Sequence, residues 1–312
     1  MQSNVDILLN CFNGEKYLSH ALESVLSQTY PNWRVIFIDN CSTDNSANIA
    51  KEFKGNLFYF KTDKKISLGE ARRIGVEFVD ADFIAFLDCD DIWMPNKLTE
   101  QINIMKDNRF ALTYSGMNFI DENHKVIGRY KPLKKRGFLF KDQLINFDIN
   151  ILTALIRQDF LIKHNLNFSS HMKASEEYNL FMQISALGDI FACDKIHANY
   201  RILEDSLTNT FKGKWSDERE YTLKQIISNN KDLLKKYEKE FEIAQNRSKY
   251  YKVCFLMECA DYYSARLILK KIAFKEKKYF LLFVISFSPI LWRFIHRRKI
   301  KEKLTRIIFR LR

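Results

Sequence analysis

The sequence predicts an α/β fold, with a mostly parallel central sheet followed by a C-terminal helical extension. Three observations carry that expectation. Short apolar runs alternate with helical patterns through the N-terminal half, polar residues gather where successive apolar runs end, and the periodicity from Asp217 to Lys271 is helical throughout.

The elements follow in order. Val5-Asp6-Ile7-Leu8-Leu9 reads as the first strand, Tyr17 to Gln28 as a helix, Arg34 to Asp39 as the second strand and Ser46 to Phe53 as the next helix. Leu57 to Lys61, Leu68 to Val79 and Phe83 to Asp88 continue as strand, helix and strand. Strand alternating with helix makes βαβ units on a parallel sheet, and ligands of such sheets bind at the carboxyl ends of the strands. Asn10 to Gly14, Asp39 to Asp44 and Asp88 to Asp91 stand at those ends. The polar, basic stretch from Asn118 to Lys141, with a candidate hairpin around Asp121-Glu122-Asn123-His124 and a Lys134-Lys135-Arg136-Gly137 run, is expected to be a loop or lid. Apolar stretches return between Ile149 and Tyr200 around a helix that begins near Ser175. Two units are expected: residues 1–215 as the α/β unit, and 216–312 as a helical extension with a basic, apolar tail.

With 312 residues, 46% hydrophobic and 28% charged, the chain can bury a sizeable core. Its six cysteines form no C-x-x-C pair, which points away from a zinc site or disulfide framework and towards a reducing cytoplasm. The N-terminus lacks the basic stretch and apolar run of a secretory signal. A net charge of +12 suggests nucleic acid at first, but from Lys271 onward thirteen lysines and arginines face two glutamates, a net of +11. The body is thus close to neutral, no nucleic-acid partner is expected, and the tail is the part that seeks anionic surfaces. Tyr279 to Ile295 is strongly apolar yet carries Pro289 and Arg293, and falls short of the roughly 20 clean residues of a spanning helix. Flanked by Lys277-Lys278 and Arg297-Arg298-Lys299, it reads as an anchor on an anionic membrane surface. The same stretch also suits a core helix covering the catalytic domain or a homodimer contact.

Phe86-Leu87-Asp88-Cys89-Asp90-Asp91 ends an apolar strand in clustered carboxylates. Carboxylates this close repel one another unless a cation offsets them, so Mg²⁺ or Mn²⁺ bridging two phosphates is a natural partner. The competing reading makes them helix caps, with Asp91 before Ile92-Trp93-Met94-Pro95.

Five spaced segments resemble family 2 glycosyltransferases with the nucleotide-binding GT-A fold: Asn10 to Leu18, Ser24 to Asn32, Phe37 to Ser46, Leu68 to Gly75 and Phe83 to Trp93. The resemblance, over roughly residues 4 to 210, implies inverting transfer of a sugar from a nucleotide diphosphate to a glycan or lipid-linked acceptor in surface polysaccharide synthesis. It places the enzyme at the cytoplasmic face of a bacterial-type membrane. It also implies roles for individual residues. Asp39 would contact a uracil N–H with Phe12 packing nearby and Asn10 in the opening loop, Arg72 would reach the nucleotide, and Asp88 would sit near ribose and metal while Asp90 ligates the ion. Asn40 and Cys41 stand where Asp and Gly are usual in the family, and Asn10 where Pro or a small residue is common. Within Ala174 to Leu180 the resemblance makes Glu177, or else Glu176, the general base; the family usually has Asp at the Glu177 position, and the alternative is a pair of helix N-terminal acids behind an N-cap Ser175. Arg201 becomes a phosphate-contact candidate, and Asp205-Ser206-Leu207-Thr208 resembles the segment that folds over the diphosphate. Two other functions remain open at this stage: a sugar-nucleotide nucleotidyltransferase, against which the glycine-poor Asn13-Gly14-Glu15-Lys16 argues, and a membrane-bound scaffold of the same fold without chemistry.

Overall fold

The computed structural model describes residues 4–203 and 211–296. Its first half is built as the alternation predicts. Strands β1 (Val5–Cys11), β2 (Trp33–Asp39), β3 (Leu57–Lys61) and β4 (Phe83–Asp88) pair in parallel in the order β3-β2-β1-β4. Helices α1 (Leu18–Leu26), α2 (Ser46–Lys51) and α3 (Leu68–Glu77) connect them. The short β5 (Ile92–Trp93) and helix α4 (Lys97–Met105) follow. β1 is buried along its whole length, because a parallel strand with helices on both faces has no solvent side.

The sheet then changes hand. β6 (Phe110–Ile120) runs parallel to β10 (Asp189–Arg201), and the antiparallel β9 (Leu155–Arg157) joins β6 to β4. The candidate hairpin around Asp121 to His124 is present, with β6 turning there into β7 (Val126–Tyr130), but the rest of the stretch expected to be a loop or lid also carries a strand, β8 (Lys135–Gly137), which pairs with β10. Its exposed polar residues hid that strand, since an edge strand with one wet face carries the composition of a loop. Helices α5 (Phe140–Ile145), α6 (Gln158–Lys163) and α7 (Glu176–Leu187) lie around this half.

The extension consists of α8 (Trp215–Asn229), α9 (Lys231–Lys236), α10 (Glu238–Glu258), α11 (Tyr262–Ala273), α12 (Lys277–Ile285) and α13 (Pro289–His296). It packs against the α/β unit. Leu223, Ile226 and Phe241 share one apolar cluster with Phe140, Tyr178 and Met182 of the α/β unit. The apolar stretch Tyr279–Ile295 splits into two short helices at Ser286–Ser288, just before Pro289, where a proline is tolerated as a first helical residue but not within a helix. One side is core: Tyr279, Ile285 and Trp292 pack on Val253, Met257, Leu269 and Ile272. The other side is bare, with Phe274 and Ile290 each 83% exposed and Phe280, Leu281, Phe287 and Phe294 exposed as well. Among the described residues no helix is long and apolar enough to cross a membrane. The basic run Arg297-Arg298-Lys299 and the segment Asp205–Thr208 lie outside the described residues.

Candidate active site

The carboxyl ends of β1, β2 and β4 converge, as parallel pairing in register requires: Asn10 lies beside Asp88, and Cys11 beside Asp39. The turn after β1 depends on close approach at Gly14, where a Cβ would fall 2.8 Å from both the Cys11 and the Cys89 Sγ. After β2, Cys41 adopts φ +64°, the left-handed conformation that the glycine usual in the family would take freely and that costs a β-carbon-bearing residue on the order of 1 kcal/mol. Asn40 holds the facing loop through Ile66, accepting from its N–H at 2.9 Å and donating to its carbonyl at 2.9 Å.

Asp39 is fully buried, with its Oδ1 accepting from Ser42 N–H at 2.7 Å and its Oδ2 from the Tyr59 hydroxyl at 2.6 Å. It orders the loop after β2. Phe12 lies beneath Lys65, whose Nζ stands 3.6 Å from the ring centroid. Asn10 is buried, and its Oδ1 has no partner among the described residues.

Helix α3 brings Arg72 to the middle of the site, capped at its start by Ser67, which accepts from Glu70 N–H. Gly69 lets α3 approach the chain before α7, since a Cβ there would meet the Ser169 carbonyl at 2.9 Å. Arg72 is only 3% exposed; it donates to Glu176 Oε1 at 2.7 Å and to both Asp88 oxygens at 3.0 and 3.2 Å. Burial disfavours its charge, but the Asp88 and Glu176 carboxylates more than offset that, so its pKa is raised. The guanidinium thus joins the strand end carrying Asp88 to the helix start carrying the acidic pair. Sequence separation hid this bridge; the only signal was that both segments carry complementary charge.

The acidic pair divides in two. Glu176 is buried on Arg72, whereas Glu177 is partly exposed and makes no hydrogen bond to a described side chain. Burial pushes Glu177 up to about 7, with Arg72 opposing the shift and Glu176 and Asp88 adding to it. Ser175 stands at the N-cap of α7 with Glu176 and Glu177 in the first turn, as the alternative of helix N-terminal acids has it, but the Ser175 side chain makes no capping bond. Glu218 of α8 holds that turn instead, accepting from the N–H groups of Lys173 and Ala174 at 2.9 and 3.0 Å.

Asp91 is not a helix cap: α4 begins only at Lys97, and Asp91 is buried, accepting from Arg201 N–H at 2.7 Å. Burial, then Asp90 and Asp88, raise its pKa well above the carboxylate range. Asp90 is pushed up to about 6 by burial and the charge of Asp88. Arg201 is a clamp, a role the sequence reading missed. It donates to the carbonyls of Asp90 at 2.8 Å and Asp121 at 3.0 Å, stacks on Tyr17 at 4.2 Å, and leaves one buried guanidinium nitrogen without a partner.

The strand ends thus gather an acidic cluster and a partly exposed carboxylate near neutrality, and the sequence matches a known family. The profile of glycosyl transferase family 2 covers residues 6–163. The chain belongs to that family. A UDP-Glc:alpha-D-GlcNAc-diphosphoundecaprenol beta-1,3-glucosyltransferase of Escherichia coli, WfgD, is 32% identical over 213 residues, 67% of this chain and 81% of that protein. A putative teichuronic acid biosynthesis glycosyltransferase of Bacillus subtilis, TuaG, is 22% identical over 68% of this chain and 82% of its own. Among solved structures, S. aureus TarS 1-349 in complex with UDP-GlcNAc superposes with TM-score 0.63 at 18% identity, covering 78% of this chain and 72% of that one. The mannosyltransferase PcManGT of Pyrobaculum calidifontis, in complex with GDP-Man and Mn²⁺, gives 0.61 at 11% identity over 95% and 87%. These likenesses establish the GT-A fold with a helical C-terminal region for this glycosyltransferase.

Among the described residues no group of three His, Cys, Asp or Glu side chains is gathered for a metal ion. Asp90 nevertheless suits a hard cation: its carboxylate has no hydrogen-bond donor among the described side chains, and burial and the Asp88 charge raise its pKa despite the opposing charge of Arg201. Asp88 is already held by Arg72.

Proposed function

We propose that this glycosyltransferase is inverting and moves a sugar from a UDP-sugar to a hydroxyl of a lipid-linked or glycan acceptor in surface polysaccharide synthesis. The observation that carries the chemistry is Glu177. A general base works best when its pKa lies near the operating pH, and burial holds this carboxylate at about 7 while leaving it reachable. The acceptor hydroxyl gives its proton to Glu177 as its oxygen bonds to the anomeric carbon. The bond from that carbon to the donor phosphate breaks on the opposite face, so configuration inverts and the nucleoside diphosphate leaves with the electron pair. Arg72, pinned by Glu176, holds Asp88 in place under the donor.

Asp90, with Asp88, would hold Mg²⁺ or Mn²⁺, which would supply positive charge to the leaving diphosphate. Asp39, Phe12 and Asn10 would frame the base, and Arg201 would stand at the phosphate end with its one open nitrogen. The UDP assignment is supported by the UDP-glucose donor in the name of the E. coli relative.

The enzyme would sit peripherally on the inner face of the plasma membrane, where lipid-linked acceptors are. Support comes from the bare apolar side of α11 to α13, along which seven lysines and arginines between Tyr262 and His296 face Glu276 alone.

A thermal-shift screen of the purified protein across UDP-, GDP- and dTDP-sugars with and without Mn²⁺ tests the donor reading. Stabilisation by UDP-sugars with metal is expected; stabilisation by none of them sinks it.

A further inference from the structure

Arg219 of α8 bonds to no acid among the described residues, although its charge bears on Glu177. Its guanidinium stands 4.2 Å from the Tyr178 ring centroid, 4.9 Å from that of Tyr251 and 5.8 Å from that of Phe147. Its Nε is buried without a hydrogen-bond partner, and it forms no ion pair among the described residues. The neighbouring acids are occupied elsewhere: Glu218 holds the Lys173 and Ala174 N–H groups, and Asp217 faces Lys252 at 3.8 Å. Rings that cover the faces of a guanidinium leave its N–H edges free, and those edges form a planar fork that fits a phosphate or carboxylate with two parallel hydrogen bonds. A cation drawn partly out of water and left without an anion is costly, so the cage is built for a partner that arrives from outside.

The cage adjoins the base. Tyr178 follows Glu177 directly, and Glu218, next to Arg219, fixes the turn that starts α7. Three side-chain contacts lock the two helices together further along, Asn179 donating to Thr222 and Gln225 at 3.1 and 2.9 Å while Tyr178 and Leu223 share a cluster. The charge of Arg219 bears on Glu177, whereas that of Arg201 bears on Asp90 and Asp91. Arg201 is bonded to Asp90 and Asp91, whereas Arg219 lies against Tyr178, the residue after Glu177, so the two arginines serve different carboxylates.

We propose that Arg219 receives the phosphate of the acceptor, so that the diphosphate of a lipid-linked sugar docks beside Glu177 and presents its sugar hydroxyl to that base. This rests on the reading of Glu177 as base and of the acceptor as lipid-linked. The residue lies on α8, outside the segment that the family profile covers, as suits a device for one acceptor class rather than for the shared donor chemistry.

Trp215 supplies the readout, because it lies one helical turn before Arg219 with its ring 5.6 Å from that of Tyr251. The full-length protein, its donor site saturated with UDP and Mn²⁺, is titrated with farnesyl diphosphate, inorganic pyrophosphate and farnesol, followed by tryptophan fluorescence and calorimetry. Farnesyl diphosphate and pyrophosphate should bind and farnesol should not. Arg219→Gln should weaken both anions by at least about tenfold while UDP affinity and melting temperature stay at the wild-type values, and Arg219→Lys, which keeps charge but not the fork, should fall between. Equal binding by Arg219→Gln, farnesol binding as tightly as its diphosphate, or a parallel loss of UDP affinity each overturn the subsite. A protein that binds farnesyl diphosphate through Arg219 but not UDP supports the subsite and overturns the UDP reading; one that binds UDP but is indifferent to Arg219 does the reverse.

Discussion

Two adjacent glutamates differ in what surrounds them, and that difference sets what each does. Glu176 is held by Arg72, which leaves Glu177 as the carboxylate proposed to accept the proton. Glu177→Gln should lower kcat by about 10²-fold or more with UDP affinity unchanged, and steady-state kinetics check it. The base must be ionised, and its pKa is raised to about 7. The wild-type rate should therefore climb as pH rises through about 7 and level off above, and this inflection should vanish in the residual rate of Glu177→Gln. Arg72→Met leaves Asp88 and Glu176 as unpaired carboxylates in a buried setting, with an expected loss of about 3–5 kcal/mol in urea denaturation. Arg73→Met removes only surface pairs with Glu70 and Glu77 and should change stability by less than about 1 kcal/mol. Which side chains gather at the strand ends was legible in the sequence, because parallel strands bring their carboxyl ends together. Which of them bond to each other was not: the Arg72 to Glu176 bridge, the Tyr59 hydroxyl on Asp39 and the Arg201 clamp join residues whose separation in sequence carries no trace of contact.

At the scale of elements, periodicity served where burial is complete on one or both faces and failed where it is shared. β1 and β4 stand out as mostly apolar, buried runs, whereas β7, paired to the buried β6, looks like a loop because its side chains meet water. The tail shows the same ambiguity in reverse. A helix apolar all round is ordinarily covered on every side, yet α12 buries Tyr279 and Ile285 and leaves Phe280, Leu281 and Val284 in the open. Removing everything after Lys275 would therefore strip Tyr279 and Trp292 from the cluster on α10 and α11, and truncation cannot separate membrane attachment from folding. Point changes can. Trp292→Ala should cost about 3–5 kcal/mol, measured by urea denaturation. Phe287→Ser with Ile290→Ser should leave stability nearly unchanged but sharply reduce sedimentation with anionic vesicles, an association that should also weaken as salt rises. If the double variant sediments like the wild type, the exposed side of α12 and α13 does not face lipid.

Across the whole molecule, one sheet brings together the residues proposed for donor, base and acceptor by its change of direction. The parallel half delivers Asn10, Asp39, Asp88 and Asp90 to one edge, and β10 returns beside β6 to set Arg201 against Asp91. The helical extension then closes on α7, so the base is held by both halves of the chain. The net charge of +12 was correctly located by counting along the sequence, since charge is a property of residues; where the tail packs needed three dimensions. The central claim is that Glu177 drives inverting transfer from a UDP-sugar at this edge. Its most direct test follows the hydrolysis of an α-linked UDP-sugar with Mn²⁺ by proton NMR, with water as acceptor, reading the anomer that appears first. The β-anomer should appear first with the wild type and at no more than about a hundredth of that rate with Glu177→Gln; an α-anomer formed first, or equal rates in the two proteins, would contradict the account.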